Sequence, residues 1–178
     1  MMLPPIPYNG VLRPLLMLIG MAMMFLLLQR TQKKPCRHRK LLWAATAVYL
    51  FFLLYATLLS RTAGKEYSYR VEPLTTLRLS FFANGTLELS DPKILEGIVV
   101  NLLLMVPVGY MLPQLFNLSA TQTTLLGAGL SLSIESIQLI TRLGMFELDD
   151  FIYNTLGAAL GYWLLVCMEK HTGAQLRR

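Results

Sequence analysis

Leu41 to Ser60 reads LLWAATAVYLFFLLYATLLS, twenty residues without a charge. A helix needs about 20 mainly apolar residues to cross the hydrocarbon core of a bilayer, so this run predicts a membrane span. Working outward, Val11 to Leu28 is nearly as apolar, with Arg13 close enough to its end to snorkel. Ile94 to Phe116, Thr121 to Thr141 and Phe151 to Met168 are three more spans, each interrupted by polar residues. The fold expected is all-α, a polytopic membrane helical bundle of about five transmembrane helices. Composition agrees: 54% of the 178 residues are hydrophobic, 15% are charged and mean hydropathy is +0.51. A typical soluble domain has about 25% charged residues. A disordered chain, a secreted disulfide scaffold and a conventional soluble enzyme are excluded on these grounds.

The net charge of +6 is distributed as a topology signal. Six of the sixteen Lys and Arg residues (Arg30, Lys33, Lys34, Arg37, Arg39 and Lys40) fall between the first two apolar runs. The positive-inside rule makes that loop cytoplasmic, the N-terminus outside and the tail 169–178 cytoplasmic. With no nucleic-acid-binding motif beside the charge, no nucleic-acid partner is expected. Residues 1–40 read as an extra N-terminal helix and basic loop, retained rather than cleaved because the positive charges follow the apolar run. Residues 41–168 read as the main membrane domain, with an outer loop at 61–93. Cys36, Cys167, His38 and His171 are isolated and read as solvated or lipid-adjacent residues. In the outer loop, Leu77 to Phe81 and Thr86 to Ser90 alternate apolar and polar across Asn84-Gly85, which predicts a small β-hairpin.

An ionised side chain at the bilayer centre costs about 2.5 to 3.5 kcal/mol, so charges in the last three spans call for partners or a polar cavity. Ser131, Glu135, Gln138 and Arg142 fall within about 60° of helical arc, a single polar stripe. Asp150, Asn154, Gly157 and Gly161 make a similar arc on the last helix, and the third helix contributes Asn101. Glu135, Asn154 and Asn101 lie about 6 to 10 Å inside the outer ends of their helices. Gln138, Arg142, Asp149 and Asp150 stand above them, and together these groups describe a polar funnel opening outward. Gly157 and Gly161 form G-x-x-x-G and are read as helix packing.

Several chemistries fit this cluster. Glu135 with Asp149 or Asp150 can bind a divalent cation through oxygen ligands. A buried Glu135 can instead serve as general acid or base beside an ionised Asp150. Arg142 can hold a phosphate bidentately. A purely architectural role, polar bonds that lock three helices together, is the remaining alternative.

Three motifs, in order, resemble the VanZ-like family of integral membrane proteins. The run Asn101-Leu-Leu-Leu-Met105-Val-Pro107-Val-Gly109 is similar to a family segment with an aromatic residue where Met105 stands. Ser133-Ile-Glu135-Ser-Ile-Gln138 and Asp149-Asp150-Phe-Ile-Tyr-Asn154-Thr-Leu-Gly157-Ala-Ala-Leu-Gly161-Tyr162 are the second and third. The family usually carries an Asn-Leu-x-Pro-Phe-like segment in the outer loop; Val71-Glu72-Pro73-Leu74 keeps only its proline. The resemblance implies a multi-pass protein of the bacterial plasma membrane linked to resistance to teicoplanin, a lipoglycopeptide. The residues expected to form the site are Asn101, Glu135, Gln138, Asp150 and Asn154, with Asp149 and Arg142 at the rim. The partner expected is a membrane lipid, a lipid-linked cell-wall precursor or the lipoglycopeptide itself. No cofactor is expected beyond a divalent cation. The alternative is an intramembrane hydrolase or transferase using Glu135 and Asp150 as catalytic residues. No serine, cysteine or histidine nucleophile accompanies that pair.

Overall fold

The computed structural model describes residues 35–59, 61–64, 66–74 and 92–172. The expected first span, Val11 to Leu28, and the expected hairpin across Asn84-Gly85 lie outside the described residues. Within them are four helices long and apolar enough to cross a membrane. Helix α1 is Pro35–Leu54, α2 is Pro92–Phe116, α3 is Ala120–Thr141 and α4 is Leu148–Thr172. The protein is a multi-pass membrane protein of the expected all-α class.

Local sequence sets the helix ends. Pro35 opens α1, where its fixed φ is pre-organised and its missing N–H is no loss. The last basic residues of the loop, Arg39 and Lys40, therefore ride exposed on α1. Ser119 and Gln122 form a capping box at the start of α3, each side chain accepting from the other's backbone N–H. Arg142 ends α3 in the left-handed conformation, at φ 59°. The final turn of α1 widens into a π-helix, Tyr55–Leu59.

Packing is tightest between α2 and α4. A Cβ on Gly157 would overlap the carbonyl of Leu102, one on Gly161 the carbonyl of Val106, and one on Gly109 the backbone of Ala158. Glycine is what allows the two backbones to touch, and the paired order (157 on 102, 161 on 106) makes the helices parallel. Around this seam lie two buried clusters. Leu42, Tyr110, Met111, Leu115 and Leu165 join α1, α2 and α4. Leu53, Leu104, Met105, Val108, Ile134 and Ala158 join all four helices. The outer faces carry exposed Trp43, Val48 and Phe51 on α1, Leu125 and Ile140 on α3, and Leu156 and Trp163 on α4. In a bilayer these faces meet acyl chains rather than water.

A short parallel sheet, absent from the sequence reading, closes one end. Its strands are β1, Tyr69–Arg70, and β2, Phe146–Glu147, with Tyr69 opposite Phe146 and Arg70 opposite Glu147. Residues 61–64 and 66–74 thereby lie as a strap across the α3–α4 connection.

Candidate functional site

The polar residues gather where α3 ends and α4 begins, in two layers. The deeper layer is a pair. The amide nitrogen Nδ2 of Asn154 donates to Ser131 Oγ at 2.9 Å, with both residues buried. Asn154 is 4% exposed, and its other amide atom, Oδ1, is buried with no hydrogen-bond partner among the described residues. One turn above, Glu135 is 2% exposed and Gln138 is also buried. Four residues before Asn154, and so one turn above it on the same face of α4, stands half-buried Asp150.

Each upper residue is held by a different element. Glu135 Oε2 accepts the backbone N–H of Glu147 at 3.1 Å, which ties α3 to β2. Gln138 Nε2 donates to the carbonyl of Thr57 at 3.0 Å, in the π-turn of α1. The Thr57 hydroxyl donates back to Leu53 and leaves its own carbonyl to Gln138. Asp149, 1% exposed, accepts the backbone N–H of Leu74 through Oδ1 at 2.5 Å. Leu74 is left-handed, at φ 57°. That conformation is uncommon for a non-glycine residue and fits a position fixed by its surroundings.

The strap completes the mouth. Gly64 N–H donates to the carbonyl of Arg142 at 2.7 Å, and Phe146 N–H donates to Ser68 at 3.0 Å. Arg70 pairs with Glu147 at 3.6 Å. Arg61 is the cation whose charge acts on both Glu135 and Asp150. Its Nη1 lies against Gly144, beside Gln138 Oε1.

Five of the residues singled out from sequence are therefore brought together: Glu135, Gln138, Asp149, Asp150 and Asn154. Asn101 is half-buried on α2, and the α2–α4 register puts it within about one helical turn of the height of Asn154. Among the described residues no hydrogen bond ties it to the cluster. Arg142 stands apart from the stripe. Because α3 ends at Thr141, the arginine backbone turns left-handed and its guanidinium stacks over exposed Tyr67, 4.6 Å from the ring centroid. Its Nη2 also reaches the Tyr67 hydroxyl at 3.2 Å. The cation reading of Glu135, Asp149 and Asp150 meets a geometric limit. Among the described residues no three His, Cys, Asp or Glu are grouped to hold a metal ion.

Sequence reasoning did not single out Arg61, Arg70, Tyr67 or Glu147. Arg61 carried one usable signal, as the first charge after a span whose neighbours bury carboxylates.

These features define a class: a helical, multi-pass membrane protein with a buried polar cluster at one end, roofed by a strap. The VanZ/LLP1 family profile matches residues 40–169, which contain every element just described apart from the first turn and last residues of the bundle. The chain belongs to the VanZ/LLP1 family. Comparison with curated proteins and with solved structures gives no match.

Proposed function

We propose that the protein engages a lipidic or lipid-linked ligand through this cluster and contributes to glycopeptide, specifically teicoplanin, resistance. One observation carries the reading. Glu135 is buried and Asp150 half-buried at the head of two membrane-spanning helices, with one arginine, Arg61, acting on both. Placing charge there is expensive, and helix-to-helix polar bonds alone are worth only about 0.6 kcal/mol on average. A site at that level meets the headgroup region, where a phospholipid, a wall precursor or an acylated antibiotic presents its polar part. On the positive-inside argument the cluster faces the outside of the bacterial plasma membrane, with the C-terminus cytoplasmic.

The test is susceptibility to teicoplanin and vancomycin in cells expressing the wild type, Glu135→Gln or Asp150→Asn at matched membrane abundance. Loss of teicoplanin-selective protection in both stable variants is the expected result. Protection that survives both changes makes the cluster helix glue.

A second reading is favoured by the charge of Glu135, which acts on Asp150. As an intramembrane hydrolase or transferase, the protein would use Glu135 as acid or base and Asp150 to orient water or a phosphate. Release of product from a lipid-linked substrate by the purified wild type, and none by Asp150→Asn, would separate this reading from simple binding.

A further inference from the structure

We propose that the seam between α3 and α4 takes a primary ammonium group carried by a membrane amphiphile, an inference that rests on the lipid-ligand reading above. The argument is an inventory of donors and acceptors. One N–H of each seam amide is committed, Gln138 Nε2 to Thr57 and Asn154 Nδ2 to Ser131. Two of the acidic residues are likewise engaged. Glu147 has Arg70, and Asp149 has the Leu74 amide. Three acceptors remain at the cluster: Asp150, the second oxygen of Glu135, and the orphaned Oδ1 of Asn154.

Asn154 is the independent sign of a ligand. A buried amide oxygen without a partner forfeits a hydrogen bond, at a cost of about 1 to 3 kcal/mol, unless something fills it. Its nitrogen is bonded across the seam to α3, which holds the amide between the two helices, directly beneath Asp150 and Glu135.

An ammonium group has three N–H donors and no acceptor, which complements three acceptor side chains. A phosphate is the wrong chemistry. Its oxygens would face two carboxylates, Arg61 is already set against those carboxylates, and Arg142 is turned outward onto Tyr67. A metal ion lacks a grouped ligand set among the described residues.

The experiment is lipid competition on the full-length protein purified in detergent. It is exposed to an equimolar mixture of phosphatidylethanolamine, phosphatidylcholine and phosphatidylglycerol with identical acyl chains, and retained lipid is read by native mass spectrometry. Phosphatidylcholine carries the same positive charge without an N–H donor. At least about tenfold enrichment of phosphatidylethanolamine over phosphatidylcholine is expected. That enrichment should be lost in Asp150→Asn and in Asn154→Leu, and kept in Gly129→Ala, whose Cβ would meet nothing within 4 Å. Free ethanolamine distinguishes the sources: displacement of bound lipid means the amine suffices, and persistence means the whole lipid is recognised.

Equal retention of phosphatidylethanolamine and phosphatidylcholine overturns the proposal without any variant having to fold. Enrichment of phosphatidylglycerol that Asp150→Asn abolishes also overturns it, while the lipid-ligand reading stands. If no lipid is retained above the level of a detergent blank, this proposal falls, while the reading above keeps the wall precursor and the antibiotic, which the mixture does not contain.

Discussion

Helix α4 makes two seams of opposite character. Against α2 it presents Gly157, Ala158 and Gly161, and there the backbones touch. Against α3, along nearly the same arc, it presents Asp150 and Asn154 to Ser131 and Glu135. The first seam is what association in a bilayer requires, because close van der Waals packing replaces the hydrophobic drive that lipid cannot supply. The second encloses an unpaired amide oxygen, a buried carboxyl and a half-buried one, and is poor architecture on the same criterion. Packing economy explains the α2–α4 seam; for the α3–α4 seam we propose a ligand.

The largest effect should come from breaking the dry seam. Gly157→Leu forces a side chain into the Leu102 carbonyl, where the obstacle is backbone and cannot rotate away. Overpacking of a tight core typically costs about 1 to 3 kcal/mol, and a rigid obstacle sits at the upper end. Thermal unfolding in detergent should show a protein that is strongly destabilised or not recovered folded. Gly97→Ala, with nothing within 4 Å of the added Cβ, should unfold like the wild type. If Gly157→Leu is stable, α2 and α4 do not meet as described.

An intermediate effect tests the polar seam. Asn154→Leu removes both the bond to Ser131 and the orphaned oxygen. An interhelical hydrogen bond in a membrane averages about 0.6 kcal/mol, and the added apolar contact offsets part of that loss. Unfolding should therefore move little, while teicoplanin protection should fall with that of Asp150→Asn. Loss of stability comparable to Gly157→Leu would make the two seams alike and remove the reason for placing a ligand at one of them.

The parts of this arrangement that sequence discloses are those governed by local rules. Charge-free runs mark the spans, and the spacing of Ser131, Glu135 and Gln138 marks one buried face. The strap obeys no such rule. Leu74 reaches Asp149 and Tyr67 reaches Arg142 across 75 residues, and Gln138 reaches Thr57 across 81. A two-residue strand pair has no periodicity to detect. Arg142 was legible as a fourth member of the stripe only for as long as α3 continued. The left-handed cap ends the helix one residue short of it, and the 100° step that would have aimed it inward no longer applies. Helix boundaries, not helix identities, decided which polar residue joined the site.

Arg142 supplies the smallest and most discriminating prediction. Its guanidinium is exposed and stacked on Tyr67, a contact worth about 0.5 to 1 kcal/mol at an exposed site. Arg142→Ala should lower stability by no more than that, and Tyr67→Ala by a similar amount. The double variant should lose less than the sum, since each single change already breaks the shared contact. Because the strap is also held by Gly64, Ser68, Arg70 and Leu74, losing one contact should leave the mouth closed. Teicoplanin protection by Arg142→Ala should then match the wild type at equal abundance. A drop as large as that of Asp150→Asn would mean that the outward-turned arginine contacts the ligand. The cationic rim, rather than the acceptor-rich seam, would then be the part that recognises its charge.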